Sequence, residues 1–304
     1  MQAPPEAFFL PATAAPGGQR FCLYHPAQSA TPRGLVVYVH PFAEEMNKAR
    51  RMVALQSRAL AQAGFAVLQI DLLGCGDSSG DFGDATWQAW VSDVRLGCHW
   101  LRERTGCQGG VPMWLWGLRA GCLLAVDAAR QLNEPCHFLF WQPPTAGKLL
   151  LQQFLRLKVA GDLMGGQAKG VMQALRQQLA DGSPVEIAGY LLAPDLANGM
   201  EQALLTPPGT VVNGLVSVAA GALPTPRLVW LELTTRVDAS LSPVSAQTIG
   251  QWQAAGFQVT SQLVQGPAFW QTTEIEDAPA LIQATLTAVT TPQSQGAIQS
   301  DVAS

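Results

Sequence analysis

The sequence predicts an α/β fold with a mostly parallel central sheet, flanking helices and an inserted helical lid. Three observations support this prediction. Apolar runs and amphipathic stretches alternate along the chain. The apolar runs are continuous, as in strands buried on both faces of a parallel sheet. With 304 residues, 48% of them hydrophobic and 13% charged, the chain can build one large core carrying an insertion.

The first half of the chain alternates strands with helices. Gly34–His40 and Phe65–Asp71 are apolar runs rich in branched residues and are predicted as buried strands. Between them, Lys48–Gly64 has apolar residues at helical spacing and ends at a glycine, which completes a βαβ unit. The same patterns predict helices over Asp84–Gly106 and Arg119–Asn133 and strands over Val111–Gly117 and His137–Pro143.

The alternation stops at about Lys148 and resumes at Arg227. The intervening stretch begins with an amphipathic helix, Lys148–Ala160, and contains several Gly and Pro breaks and few strand patterns. We therefore divide the chain into residues 1–147 (first part of the core), 148–223 (lid), 224–290 (second part of the core) and 291–304 (disordered tail). The second part should hold strands over Arg227–Leu233 and Phe257–Val264 and helices over Ser242–Gly256 and Asp277–Val289.

Composition excludes several functions. Lys and Arg number 18 against 22 Asp and Glu, with no long basic cluster, so nucleic acid is not expected as a partner. The start of the chain lacks the pattern of a signal peptide, and prolines and glycines break the uncharged stretch Leu204–Pro226, so we predict no transmembrane segment. The six cysteines form no CxxC pair, which favours reduced thiols in the cytoplasm and no metal site. We predict no cofactor, and the sequence leaves the oligomeric state open.

The stretch "LWGLRAG", Leu115–Gly121, runs from a predicted strand into a predicted helix. Glycines stand two residues before and two residues after Arg119. This spacing is typical of a nucleophile elbow, a sharp turn whose central residue is strained and whose flanking positions have no room for side chains. The central position, however, holds an arginine.

Three other stretches fall where a hydrolase built on such an elbow would need them. "VHPFAEE" follows the strand that ends at His40, and it would supply an oxyanion hole from the N–H groups of Phe42 and Ala120, since Pro41 has none. "DLLGCGDSSG" matches a D-x-x-G-x-G-x-S turn from Asp71. "RVDASLSP" puts Asp238 just past a strand, at the position of a triad acid.

These motifs resemble the α/β-hydrolase superfamily over most of the chain. "HPFAEEMNKAR", "WGLRAG", "GY" at Gly189 and "GPAFWQTTEIEDAPALI" are similar, more narrowly, to the second hydrolase family associated with the exosortase A system. That family accompanies exopolysaccharide gene clusters and the sorting of proteins with a short C-terminal anchor. The resemblance implies a hydrolase acting on an ester or thioester, and it does not imply a mechanism.

The sequence departs from that resemblance at the catalytic positions. Arg119 keeps its proton in any protein environment and cannot attack a carbonyl. The histidine expected after the last strand is missing, because all four histidines lie at or before His137. Only Asp238 remains of three triad members, so a Ser-His-Asp mechanism is excluded at the usual positions. The triad is degenerate, which raises the possibility of a pseudoenzyme.

Arg119 has two interpretations. At a helix N-terminus its guanidinium would add a forked hydrogen-bond donor to a site that already favours anions. Such a site would suit an anionic or acyl small molecule. Alternatively, it pairs with Asp238 or Glu274 and fills a dead pocket, since a buried arginine needs an acidic partner.

The remaining candidates also carry alternatives. Glu44 or Glu45 could activate water, or could mark a solvated helix start. Glu274 could replace the missing histidine, or could simply be an acidic residue before the last helix. Trp270 could line an acyl or sugar pocket, or could belong to the core. His40 could belong to the oxyanion or ligand site, or could brace its loop.

Three functional hypotheses follow for the whole chain. It is a binding protein for an anionic or acyl ligand held on Arg119, an enzyme of altered mechanism in which a glutamate activates water, or an inactive scaffold with a filled pocket.

Overall fold

An eight-stranded sheet forms the centre of the protein. The computed structural model describes residues 4–13, 17–107, 110–132, 134–163, 170–209 and 225–291. The strands of the sheet lie in the order β1-β2-β4-β3-β5-β6-β9-β10, and β7 and β8 form a separate hairpin. The strands are β1 (Glu6–Ala12), β2 (Gly18–His25), β3 (Gly34–Val39), β4 (Phe65–Ile70), β5 (Met113–Leu118), β6 (Cys136–Trp141), β7 (Val185–Ile187), β8 (Tyr190–Leu192), β9 (Arg227–Thr234) and β10 (Gln258–Gln265).

Helices cover both faces of the sheet. They are α1 (Glu44–Gln62), α2 (Trp87–Thr105), α3 (Ala120–Ala129), α4 (Gly147–Leu163), α5 (Val171–Ala180), α6 (Pro194–Gln202), α7 (Pro243–Ala254) and α8 (Pro279–Thr290). Alternate residues of each central strand face opposite layers. On β3, Val37 packs in the layer that contains residues of α2, α3 and α7, whereas Val36 and Tyr38 pack in the layer that contains residues of α1 and α8.

The predicted α/β class is confirmed. In the part of the sheet ordered β4-β3-β5-β6-β9-β10, each strand is parallel to its neighbours. The connections between these strands include helices. Parallel strands leave their carboxyl ends at one edge of the sheet, and the turns that follow β3 and β5 therefore lie side by side there. This arrangement positions the candidate site.

The antiparallel start of the sheet was not predicted. β1 pairs with β2, and β2 pairs with β4, so a hairpin extends the sheet at one edge. Pro11 lies on β1, the outermost strand, where a residue without an N–H is tolerated because one side of the strand has no partner.

The segment predicted as a lid lies between β6 and β9. Its described part holds α4, α5 and α6 and the β7–β8 hairpin. Residues 164–169 and 210–224 of this segment, and the predicted tail from 292 onward, lie outside the described residues. The division of the chain into core, lid and tail stays a prediction. No helix in the described ranges has the length and apolar character that a membrane crossing requires.

Candidate functional site

The site is built around a sharp turn between β5 and α3. Arg119 has φ 54° and ψ −119°, a conformation that residues with a side chain rarely adopt. A Cβ on Gly117 would lie 2.5 Å from the backbone nitrogen of Cys122, and one on Gly121 would lie 2.1 Å from the carbonyl oxygen of Val39. Only glycine fits at both positions. The predicted elbow is present, and it directs Arg119 to the carboxyl edge of the sheet.

The guanidinium of Arg119 binds Glu45. Its Nη2 lies 3.1 Å from Oε1 of the carboxylate, and its Nε lies 3.3 Å from the same oxygen. A second donation from Nη2 reaches Oε1 of Gln153 on α4 at 3.0 Å. The two charged side chains are only 13% and 17% exposed. One of the two interpretations of the sequence paired Arg119 with Asp238 or Glu274; the structure pairs it with Glu45, the second residue of α1.

A second sharp turn positions Glu45. Ala43, between β3 and α1, has φ 51° and ψ −129°, almost the conformation of Arg119. Since β3 and β5 are adjacent parallel strands, the two turns bring the starts of α1 and α3 together. Glu44 and Glu45 are the first residues of α1. Glu44 pairs with Lys48 at 3.9 Å and is more exposed than Glu45.

Burial raises the pKa of Glu45 above its usual value, even though it carries an ion pair. The charge of Arg119 and hydrogen bonds with Arg119 and Gln271 oppose this effect without overcoming it. The carboxylate is therefore easier to protonate than an exposed glutamate, while at neutral pH its partner favours the charged form.

A cleft of about 340 Å³ opens beside the Arg119–Glu45 pair. One wall is apolar and comes mainly from α4, which contributes Leu150, Phe154 and Leu157 at the spacing of one helix face. Phe154 is buried and meets the ring of Phe42 edge-to-face at 4.9 Å. The other lining residues are Ala43, Glu44, Gln153 and Gln271. The cleft is thus polar beside the Arg119–Glu45 pair and apolar along α4.

Residues 30–159 match a family model described as serine aminopeptidase, S33. Protein ABHD12B of Homo sapiens is 30% identical over 113 residues, which cover 37% of this chain and 29% of that protein, so the match spans less than a third of its relative.

Solved structures match over almost the whole chain. A thermostable carboxyl esterase from Bacillus coagulans, in complex with glycerol, has a TM-score of 0.58 and 12% identity, with 94% of this chain and 98% of the other covered. Est1E from Butyrivibrio proteoclasticus, with ferulic acid bound, has a TM-score of 0.58 and 13% identity, covering 92% and 96%. A soluble variant of monoglyceride lipase from Saccharomyces cerevisiae, in complex with a substrate analogue, has a TM-score of 0.56 and 13% identity, covering 94% of each chain.

The protein has the α/β-hydrolase fold. At these identities the structures show the fold alone, and together with the family model they support the α/β-hydrolase superfamily. In this fold the elbow, the loop after β3 and the turns after β9 and β10 meet at one edge of the sheet.

Of the residues predicted as acid and base, Asp238 and Glu274 make no hydrogen bond or ion pair with Arg119, unlike Glu45. Asp238 lies in an exposed turn after β9, and Glu274 is exposed in the loop between β10 and α8. Neither residue lines the cleft. Trp270, also in that loop, is buried, and its ring centre lies 5.9 Å from the guanidinium carbon of Arg119. The loop after β10 therefore brings the indole of Trp270 next to Arg119 of the elbow.

His40 supports the loop after β3. Its Nε2 accepts a hydrogen bond from the N–H of Leu72 at 3.3 Å, so Nδ1 carries the proton and donates to the carbonyl oxygen of Pro41 at 2.8 Å. Burial lowers its pKa. Since both ring nitrogens are used and the ring does not line the cleft, the structure agrees with a bracing role and not with ligand contact.

Phe42 contributes its ring to the cleft wall, and Ala120 is the buried first residue of α3. Both stand beside the elbow, where the sequence placed their N–H groups as oxyanion donors. That role stays a prediction.

No activated thiol or histidine was found at the elbow in the described ranges. Burial raises the pKa values of Cys75 and Cys122 well above the usual value, which keeps both thiols protonated. The turn from Asp71 is structural. Ser78 donates to the carbonyl oxygen of Asp71 at 2.5 Å and accepts from the N–H of Phe21 at 2.9 Å, which ties the turn to β2.

Sequence reasoning missed Gln153 and Gln271. A signal existed for Gln153, because it falls between Leu150 and Phe154 on a predicted amphipathic helix and so shares their side. Gln271 directly follows Trp270 in a loop, and no periodic pattern marks it.

Proposed function

We propose that the protein binds a small acyl compound in the cleft and does not hydrolyse it by a serine mechanism. The observation that carries this proposal is the Arg119–Glu45 ion pair in the elbow. A guanidinium is permanently protonated and cannot form an acyl intermediate, whereas it is a strong donor to a carbonyl or carboxylate oxygen.

The polar end of the ligand would bind Arg119. A guanidinium has five N–H donors, and its Nη1 makes no hydrogen bond to the described residues, so donors remain for a ligand. Glu45 already balances the charge of Arg119. An ester, thioester or amide carbonyl can therefore bind without displacing it, while a free carboxylate has to compete with Glu45.

The acyl chain would lie along α4. Leu150, Phe154 and Leu157 form a continuous apolar strip, and burying each methylene of a ligand against such a surface contributes about 0.8 kcal/mol. The hydrogen bond from Arg119 to Gln153 ties the same helix to the elbow. This contact supports the interpretation of the inserted segment as a lid over the site.

Calorimetric titration with octanamide and octanoate tests the proposal. We expect binding of octanamide by the wild-type protein and a loss of roughly tenfold in affinity for Arg119→Gln, the effect of a charge-assisted hydrogen bond. Because that variant leaves Glu45 buried without a cationic partner, the double variant Arg119→Gln/Glu45→Gln is measured beside it. Arg156→Gln, an exposed change on α4, is the control. Unchanged affinity in both Arg119 variants would refute the proposal.

Hydrolysis by an altered mechanism is a second candidate, supported by one observation. Glu45 lines the cleft and its pKa is raised, the property of a general base that can take a proton from water. Turnover of acyl esters and thioesters should then be lost in Glu45→Gln, while Glu44→Gln, which alters the more exposed carboxylate, should keep most of it. Equal turnover in Glu45→Gln and the wild type would exclude this role.

The biological setting is proposed from the resemblance to the exosortase-A-associated hydrolases. It favours an acyl or sugar-linked compound of an exopolysaccharide system as the ligand. The six cysteines are all free thiols, which supports a reducing compartment such as the cytoplasm. The alternative of an inactive scaffold with a filled pocket is less well supported, because the described residues leave a cleft beside Arg119.

A further inference from the structure

A second cavity of about 310 Å³ lies at the opposite edge of the sheet from Arg119. It is formed where three parallel strands begin, since Trp114 is the second residue of β5, His137 the second of β6 and Arg227 the first of β9. Arg33, just before β3, and the last residues of α8 complete it. The cleft proposed for the acyl ligand shares no lining residue with it.

The two arginines of this cavity are bound to backbone carbonyl groups. Arg33 donates to the carbonyl oxygens of Ala63 and Thr290 at 3.4 and 3.3 Å. Arg227 donates to those of Val289 and Ala288 at 3.3 and 2.5 Å. No Asp or Glu is among the residues that line the cavity. Eight other arginines in the described ranges, Arg119 included, pair with a carboxylate.

A buried histidine adds a third donor. The N–H of Arg227 donates to Nδ1 of His137 at 2.9 Å, so Nε2 carries the proton of the neutral ring. Nε2 makes no hydrogen bond to the described residues, although His137 is 5% exposed. The ring stacks on Trp114 with centres 4.8 Å apart, which fixes its orientation. Burial and the charge of Arg227 lower the pKa of His137 to about 4, which keeps the ring neutral at pH 7.

Helix capping explains only part of this arrangement. Cations near the last carbonyls of α8 stabilise that helix end, which accounts for contacts of Arg33 and Arg227. Capping does not require a histidine in the cavity lining whose Nε2–H has no hydrogen-bond acceptor among the described residues. It also leaves several N–H donors of the two guanidinium groups unused.

We propose that this cavity binds a small oxyanion, a phosphate or carboxylate group, through Arg33, Arg227 and Nε2–H of His137. Guanidinium groups bind both kinds of anion by forked hydrogen bonds. The site would be independent of the acyl cleft, and a ligand there would couple β5, which ends in the elbow, to the C-terminal end of α8.

Titration calorimetry at constant ionic strength tests the site with two probes, pyrophosphate and succinate. We expect at least one to bind, and the stronger of the two identifies the anion. Arg33→Gln, a change of an exposed side chain, should weaken that binding roughly tenfold. Arg58→Gln, which removes an exposed arginine of α1 away from the cavity, should leave it unchanged. The absence of binding by both probes, or equal weakening in the two variants, would overturn the proposal.

A histidine titration by NMR gives a readout that needs no variant. An anion beside Nε2 favours the protonated ring, so the pKa of His137 should rise when the bound probe is present. The exposed His99 serves as the internal reference. A His137 pKa that does not move in the presence of either probe would also contradict the site.

Discussion

Arg119 combines a strained backbone with a neutralised charge. The sequence alone predicted the strain, because Gly117 and Gly121 mark a turn that tolerates no side chain beside it. It did not predict the partner. Glu45 lies 74 positions earlier in the chain. It reaches Arg119 because of the turn at Ala43, and an alanine gives no indication in the sequence of a positive φ.

Restoring the missing hydroxyl should not restore hydrolysis. Arg119→Ser would place a serine in the elbow, but Trp270 stands after the last strand in place of a base, and both ring nitrogens of His40 are engaged. We expect no release of nitrophenol from p-nitrophenyl butyrate above the rate of the buffer. Turnover by this single variant would show that another residue acts as the base.

The two elbow glycines differ in kind from an exposed helical glycine. In Gly121→Ala the new methyl group would meet the carbonyl oxygen of Val39 at 2.1 Å, and the backbone has to move. We expect the free energy of unfolding to fall by about 2 kcal/mol or more. Gly250→Ala on α7 meets nothing within 4 Å and should raise it by about 0.5–1 kcal/mol. Urea denaturation measures the change in the free energy of unfolding for both variants. Equal changes in Gly121→Ala and Gly250→Ala would contradict the packing described for the elbow.

At the scale of elements, hydrophobic pattern predicted the parallel part of the sheet and most of its helices. Continuous apolar strands and helical periodicity are local signals, and they identified β3 to β6, β9 and β10. The N-terminal hairpin was missed because its proline and exposed residues weaken the pattern of an edge strand. The three-residue strands β7 and β8 are too short to produce a pattern at all.

α4 depends on Phe154 for its position over the cleft. The ring packs against Phe42 and, at 6.4 Å between centres, Tyr190. Truncation in Phe154→Ala should cost about 3–5 kcal/mol of local packing, so we expect faster hydrogen exchange in α4 while β3 and β5 keep their protection. Leu149→Ala, at a half-exposed position on the same helix, is the control. Uniform acceleration across the sheet would show that α4 does not open separately.

At the scale of the whole molecule, the sheet separates two polar regions. The carboxyl edge carries the Arg119–Glu45 pair, and the opposite edge carries Arg33, Arg227 and His137. Sequence reasoning placed the first region, since motifs at strand ends converge in parallel sheets. It could not assemble the second cavity, whose residues come from six separate segments of the chain.

Buried histidines should make the protein sensitive to mild acid. Burial lowers the pKa values of His25 and His137 to about 4 and also lowers that of His40. The unfolded chain binds these protons from about pH 6.5, so stability is lost as the pH falls from 6.5 towards 4. The raised pKa values of Glu45 and Asp93 act in the opposite direction.

We therefore expect the free energy of unfolding, measured in urea, to be lower at pH 5 than at pH 7 by roughly a few kcal/mol. His25→Gln should reduce this difference, whereas His99→Gln, at an exposed position, should not. A free energy of unfolding that is equal at both pH values would mean that the histidines are not buried as neutral rings.

The central claim is that the elbow holds a binding group in place of a nucleophile. Its most direct test is mass spectrometry of the protein and of p-nitrophenyl octanoate after prolonged incubation together. We predict that the wild-type protein hydrolyses no more ester than buffer alone, that it gains no acyl mass at the elbow, and that less ester co-elutes with Arg119→Gln than with the wild type. A wild-type protein acylated at the elbow, or equal co-elution of the ester with Arg119→Gln, would contradict this claim, whereas hydrolysis without acylation that is lost in Glu45→Gln would indicate the second candidate mechanism.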